Sequence, residues 1–564
     1  MAGGRPRHRR RTSRRRRFLR RTAPLILVAV AAFAGGIFVA TRPSGAERKL
    51  VRGYVDAWAR GDYAHMYSLL DPSSQAAVSE RAFMDAYRRE AAIATLTAVE
   101  PLRIGNRSGQ DIPVSVRVRT RIFGTLQEIL EVPLAGSDAS ARVHYSRSLL
   151  FPGLRDHELL SRRVGLPARA DLLASDGTPL ARGADRSSPI PDVAGQIVGT
   201  LGPIPAGQAA KYARLGYPAG TRVGIDGLER IFQDQLAGTP GGVLRAGDRV
   251  LAHTHPVAAT AVTTTIDPRI ERAAIAAMGN RYAGIAALDP RTGAVLALAG
   301  VAFSALQPPG STMKVITATA ALDAGIVKLS DTFPVADSAN VGGFILHNAG
   351  GEFCGGTFLN AFAVSCNSVF APLGVRLGGR RLVAMAERFG FNQPPAIPGA
   401  AESTIPSAST IGSDTDVGSS AIGQGKVQST ALDMTLVAAT IAMGGRRPIP
   451  TLLAHQQPRF VQVVSGRVAR LVQRMMIAVV QFGTGTAAQI PGVRVAGKTG
   501  TAELGNTSGP NGSSPSNTDA WFVGYAPVGA PRIAVGALFP AQGAGGQTAA
   551  PAVHDVLAAA LHAG

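Results

Sequence analysis

Residues 283–300 read AGIAALDPRTGAVLALAG, two apolar runs of strand length joined by the turn Asp289-Pro290-Arg291-Thr292-Gly293. From Thr263 onward the pattern is that of an α/β core. A helix-like segment follows the second strand, and further strands are expected at 493–496 and 520–525, on either side of a Gly/Ser/Asn loop. Upstream, 153–256 is rich in Gly, Pro and Arg, and 228–236 is its only long periodic element. Further back, 47–96 is helical: Leu50, Val51, Tyr54, Val55 and Trp58 recur at three- and four-residue steps, Gly61-Asp62 stops that helix, and Ser79 caps the next. The period then becomes two. Val114, Val116, Val118, Thr120 and Ile122 alternate with Ser115 and three arginines, Gly124 turns the chain, and 126–134 returns. Helices followed by an antiparallel sheet over about a hundred residues make a small α+β domain. At 564 residues the chain exceeds one core, and 46% hydrophobic residues exclude general disorder.

The net charge of +21 would suit a nucleic-acid binder, but residues 1–22 alone carry eleven arginines and no acid. The uncharged run of eighteen residues that follows, 23–40, is near the minimum for a spanning helix. Basic residues before it predict a cytoplasmic N-terminus and an exported body. The arginine arm then serves as a topology determinant touching anionic headgroups, and nucleic acid is not the expected partner. A cleaved signal peptide is the competing reading, with small residues at Ser44-Gly45-Ala46. In an exported chain Cys354 and Cys366 either pair, closing a short loop worth about 3 kcal/mol, or remain buried thiols.

The chemistry starts at Gln307-Pro308-Pro309-Gly310-Ser311-Thr312-Met313-Lys314, which opens a helix through Val315, Ile316, Ala320 and Leu322. Proline and glycine put Ser311 at the helix start, and Lys314, three residues on, shares its face. A serine hydroxyl needs a base, and lysine is one only when neutral. At its free pKa about one lysine in a few thousand is neutral at pH 7, so the site must lower the pKa by about three units, roughly 4 kcal/mol. Of 58 basic residues only six are lysine, at 49, 211, 314, 328, 426 and 498. Arginine cannot give up its proton, so a chain that nearly always writes arginine spends lysine where chemistry needs it. Lys498 lies in Ala496-Gly497-Lys498-Thr499-Gly500-Thr501-Ala502, small residues beside which a substrate backbone can lie. Between the lysines, Val364-Ser365-Cys366-Asn367-Ser368 interrupts two helical segments, 357–364 and 369–377. Ser338-Ala339-Asn340 has the same spacing in a polar, helix-free stretch and ranks second.

Ser311/Lys314, Ser365/Asn367 and Lys498/Thr499/Gly500 resemble, in order and spacing, the signature set of the penicillin-recognising serine enzymes. Thr264-Thr265-Ile266-Asp267-Pro268, Ala421-Ile422-Gly423-Gln424-Gly425 and the segment 519–525 are similar to the family too. Gly224-Ile225-Asp226-Gly227-Leu228-Glu229, Leu236-Ala237-Gly238 and 169–181 look like the pedestal, or dimerisation, region of monofunctional class B penicillin-binding proteins. Residues 46–152 resemble the cone-shaped nuclear-transport-factor-like domain of methicillin-resistance-type transpeptidases. The implied fold is multidomain α+β: a cytoplasmic arm (1–22), a transmembrane anchor (23–41), the cone-shaped domain (46–152), the pedestal (153–262) and a transpeptidase domain (263–564), an α/β unit with helices on both faces of an antiparallel sheet.

The implied activity is that of a peptidoglycan D,D-transpeptidase at the plasma membrane, with its catalytic domain extracytoplasmic. Ser311 attacks the penultimate D-alanine of a stem peptide, Lys314 is the base, and Ser365 and Lys498 relay protons. Backbone N–H groups of Ser311 and Thr501 form the oxyanion hole. Asn367 binds the substrate amide, while Thr499, Gly500 and Thr501 line the strand that receives its carboxylate end. No metal or cofactor is implied. The implied partners are stem peptides, the lipid-linked precursor, β-lactams as covalent inhibitors, and a membrane glycosyltransferase. The connection from Gly300 to Ser311 is shorter than in many class B enzymes, a departure at the cleft rim.

Three other readings compete. Gly492 to Thr499 satisfies the phosphate-loop pattern literally, but that motif requires a following helix, and the residues after Gly500 are not helical in character. A β-lactamase, or a D,D-carboxypeptidase, shares the motif set; the lactamase needs a second base, for which Glu402 is the available carboxylate. A non-catalytic cell-wall scaffold would not need the complete set.

Overall fold

The computed structural model describes residues 41–504 and 514–562, so the expected arm (1–22) and all but the last residue of the expected anchor (23–41) lie outside the described residues. Among the described residues no helix is long and apolar enough to cross a membrane. The chain forms two compact units. Of the described residues, the first comprises 41–166, 207–219 and 239–257; the second comprises 167–206, 220–238, 258–504 and 514–562. The expected pedestal segment, 153–262, therefore contributes to both.

In the first unit α1 (Gly45–Arg60) starts on a capping box in which Ser44 and Glu47 each satisfy the other's backbone N–H, and it ends at Gly61 in the left-handed conformation. Val51, Tyr54, Val55 and Trp58 are buried along one face, as the spacing predicts. α2 (Glu80–Ala94) begins at the expected Ser79 cap and buries Phe83 and Tyr87. The Tyr54 and Tyr87 hydroxyls hydrogen-bond at 2.8 Å, and Tyr87 donates onward to the Leu149 carbonyl at 2.9 Å, so both phenols are satisfied inside the core. β1 (Leu96–Ile104), β2 (Asp111–Thr120) and β3 (Thr125–Ala135) follow in an antiparallel sheet closed by Arg142–Val143. Ile112, Val114, Val116 and Val118 of β2 all point into the core. Leu160–Gly165, Gly241–Ala246 and Arg249–Thr254 form a second, three-stranded sheet in this unit.

The second unit opens with short elements around one buried carboxylate. Glu229 accepts from Arg169 Nε and from Arg186 Nε, each at 2.6 Å, and is 1% exposed. The segment expected as one element over 228–236 is two short helices, Gly227–Ile231 and Gln233–Leu236, broken at Phe232; Leu228, Phe232 and Leu236 nonetheless all reach the core. Removing one partner of a buried ion pair strands the others. Glu229→Ala is expected to lower the stability of this unit by about 3–5 kcal/mol, read as a shift of its urea transition, whereas an effect below about 1 kcal/mol would show that water reaches the guanidiniums.

The catalytic-domain sheet is built from β4 (Gly284–Leu288), β5 (Val295–Gly300), β6 (Ala496–Glu503), β7 (Thr518–Ala526) and β8 (Ile533–Phe539), in the order β5-β4-β8-β7-β6 and antiparallel throughout. Ile285, Ala287, Phe522, Val535 and Phe539 face one core with Val553 and Val556 of the helix Ala549–Leu561. The alternate residues Ala286, Leu288, Trp521, Val523 and Leu538 face the other core, with Met434 and Val437 of the helix Ala431–Ala442. Both faces are covered, which is why these strands read as apolar runs and not as alternating ones. The strand expected at 493–496 is corrected: β6 begins at Ala496, ends at Glu503 and carries Lys498 to Thr501 in its interior. Val493 makes only an isolated bridge, to Ile490.

Candidate active site

Ser311 sits in a 3₁₀ turn, Gly310–Met313, and the α-helix proper, α3 (Lys314–Asp323), starts at the lysine. Gly310 has φ +53°, and a Cβ there would come within 2.9 Å of the Thr501 carbonyl. A Cβ on Gly500 would come within 2.8 Å of the Pro309 carbonyl. These two glycines let the serine turn lie directly against β6, the edge strand of the sheet. Behind the turn, Gly310 N–H donates to the Gly423 carbonyl at 2.9 Å. Gly423 itself has φ +76°, and a Cβ there would stand 2.0 Å from the Gly310 carbonyl, which explains the glycine in Ala421-Ile422-Gly423.

Lys314 and Lys498 are both 0% exposed. Lys314 Nζ donates to the Ser365 carbonyl at 2.6 Å and to Asn367 Oδ1 at 2.7 Å, and lies 3.4 Å from Ser365 Oγ. Lys498 Nζ approaches the same Ser365 Oγ at 2.8 Å and donates to its own strand at Thr499 O, 3.1 Å. Ser365 Oγ therefore bridges two buried amines. Burial, and secondly the charge of Lys498, hold Lys314 well below the ordinary lysine range. Burial alone brings Lys498 down to about 7. The depression that Lys314 needs as a base thus has two physical causes here, burial and a neighbouring cation.

Ser365 is held at φ +65°, a left-handed conformation uncommon for a residue with a side chain. It stands between α4 (Phe358–Ala363) and α5 (Asn367–Leu377), the two helices expected there. Asn367 opens α5; besides accepting from Lys314, its Nδ2 donates to the His347 carbonyl at 2.9 Å. Cys354 and Cys366 are disulfide-bonded, with Cα atoms 5.8 Å apart, tying the short strand Cys354–Thr357 to the residue after Ser365.

Thr499 is buried and its hydroxyl hydrogen-bonds that of Thr484, while Thr501 Oγ1 accepts from Gly545 N–H at 3.3 Å. Among the described residues Ser311 Oγ takes no hydrogen bond, so its hydroxyl is unengaged beside the lysine one turn along. The second-ranked pair is not brought to the lysines: Ser338 and Asn340 lie on a hairpin strand, and Asn340 Oδ1, on an exposed residue, accepts from Gly343 N–H. Glu402 is likewise exposed. The phosphate-loop reading fails on geometry, because Thr499 continues as strand to Glu503, where a phosphate loop needs its helix to begin. Among the described residues no group of His, Cys, Asp or Glu could hold a metal. Sequence reasoning missed Thr484; its only signal was Gly483-Thr484-Gly485 between a helix and the Lys498 strand.

Two family models match: "Penicillin binding protein transpeptidase domain" over residues 283–558 and "Penicillin-binding Protein dimerisation domain" over 169–250. A "Peptidoglycan D,D-transpeptidase PbpA" from Mycolicibacterium smegmatis is 35% identical over 375 residues, 54% of this chain and 73% of that protein. Among solved structures, the D,D-transpeptidase domain of a peptidoglycan glycosyltransferase from Eggerthella lenta is 29% identical with TM-score 0.58, covering 70% of this chain and 98% of that one. An imipenem acyl-enzyme complex of penicillin-binding protein A from M. tuberculosis is 27% identical with TM-score 0.56, covering 70% and 99%. The chain belongs to the penicillin-binding protein transpeptidase family, with the dimerisation and transpeptidase domains of its class B members.

Proposed function

We propose that this protein is a peptidoglycan D,D-transpeptidase that cross-links stem peptides through an acyl-enzyme on Ser311 and is trapped there by β-lactams. The observation that carries the reading is Ser365 Oγ held between two buried amines, Lys314 and Lys498, beside the Ser311 turn. A neutral Lys314 takes the Ser311 proton as Oγ attacks the carbonyl of the penultimate D-alanine. Backbone N–H groups of Ser311 and Thr501 stabilise the oxyanion. As the C–N bond breaks, the proton passes through Ser365 and Lys498 to the departing D-alanine amine. An amine from a neighbouring stem then attacks the ester and restores the Ser311 hydroxyl. Asn367 holds the donor's amide, and Thr499 and Thr501 take its carboxylate across the Gly500 backbone.

The run at 23–41 anchors the chain in the plasma membrane as a single span, with 1–22 cytoplasmic and the remainder outside. Residues 46–152 form a nuclear-transport-factor-like domain of the methicillin-resistance type, a reading supported by helices packed on a four-stranded sheet. Lipid-linked precursor polymerised by a neighbouring membrane glycosyltransferase supplies the substrate. After exposure to benzylpenicillin, intact mass is expected to rise by one drug equivalent, persisting for hours, with the adduct on the peptide containing Ser311. No adduct, or one on another side chain, would sink the reading. Rapid release of hydrolysed drug would move it to a β-lactamase.

A further inference from the structure

Thr484 lies in none of the three motifs, yet it touches one of them and is pinned beside a second. It follows the helix Gly466–Gln481, in a turn that leads back towards β6. Its N–H donates to the carbonyl of Ala363 at 3.1 Å, at the end of α4 and two residues before Ser365. A Cβ on Gly483 would stand 2.1 Å from that same carbonyl, and one on Gly546 would stand 2.4 Å from the Thr484 carbonyl. The backbone of Thr484 is therefore fixed from two sides by contacts that tolerate only glycine. From this mount its hydroxyl reaches the hydroxyl of Thr499.

A threonine hydroxyl has one proton and two lone pairs. Two hydroxyls in contact place one proton between them, and the other proton is free to point elsewhere. If Thr499 donates, its lone pairs are left facing the cleft and repel an anion. If Thr484 donates, the Thr499 proton is released for the cleft, where a carboxylate would receive a charge-assisted bond. A carboxylate in the cleft therefore selects the second arrangement.

We propose that Thr484 is a positioning residue that turns the Thr499 hydroxyl toward an incoming carboxylate, and so sets the preference for acyl donors ending in a free carboxylate. The inference rests on the reading that Ser311 is acylated and that Thr499 faces the donor's carboxylate. The test compares acylation of the full chain by benzylpenicillin and by its methyl ester, which lacks the charge. Thr484→Val is expected to slow the acid about tenfold and the ester less than about twofold, with Thr484→Ser restoring the acid to within about twofold. In a Thr499→Val background, Thr484→Val should add no further loss of discrimination. Should the valine variant not fold, Thr484→Ala gives the same comparison. Equal slowing of acid and ester would show a merely structural residue and overturn the inference, as would no slowing of either. A wild type that takes no label from penicillin would overturn the acylation reading itself, whereas a labelled wild type with unchanged discrimination in the variant overturns this inference alone.

Discussion

Ser311→Ala is expected to take up no penicillin and to cross-link no stem peptide, with turnover reduced on the order of 10⁴-fold or more. The covalent step needs an oxygen at that position, and nothing nearby can substitute. Ser365 Oγ is engaged by Lys498, and its backbone is fixed by the left-handed turn. Thr312 Oγ1 donates back to the Pro309 carbonyl at 2.6 Å and is buried. Stability should barely change. Ser311 is only partly buried and its hydroxyl bonds no described residue, so alanine strands no partner, and the shift should stay within about 0.5 kcal/mol. An unaltered unfolding transition together with a lost adduct would place the defect in the chemistry. Normal cell-wall cross-linking by cells carrying only Ser311→Ala would instead establish a scaffold.

The sequence disclosed this chemistry more fully than it disclosed the boundaries of the structure around it. Lys314 and Lys498 stood out because the chain otherwise writes arginine, and both prove to be fully buried amines around one hydroxyl. The α1 and β2 patterns were legible because each buries one face, leaving a period of 3.6 or 2 in the residues. β6 was misplaced for the opposite reason. Its residues Lys498 to Gly500 are small or polar yet all buried, so no alternation marks the strand. What makes them a strand is pairing with β7, Lys498 opposite Val523 and Gly500 opposite Trp521, a contact between distant segments that local propensity does not encode. The interleaving of the two compact units within 153–262 was illegible on similar grounds. Leu160–Gly165 and Gly241–Ala246 pair with each other across a long intervening stretch, most of which, 167–206 and 220–238, belongs to the second unit. Thr484 escaped because its role depends on where a turn lands, and a lone threonine between glycines does not announce its partner.

Lys314→Met should give the other large effect, a fall in Ser311 acylation of about 10³-fold, within the range expected for loss of a general base. Methionine keeps the length of the stem and removes the amine, so the variant should fold. In the wild type only neutral Lys314 can accept the Ser311 proton. Acylation should therefore rise as pH is raised and level off once the amine is deprotonated, well below the ordinary lysine pKa. Lys498→Met removes the positive charge beside it, which raises the Lys314 pKa and moves the acid limb of the rate profile to higher pH. The same burial has a signature in stability. Folded Lys498 titrates at about 7 against 10.5 for an ordinary lysine, and Lys314 is depressed as well, so in that window the unfolded chain binds more protons than the folded one. Stability accordingly climbs with pH between those values, and Lys314→Met should climb less. Wild-type acylation by the methionine variant would remove the lysine from the mechanism. An acid limb that stays in place in Lys498→Met would show that the two amines do not sense each other across Ser365.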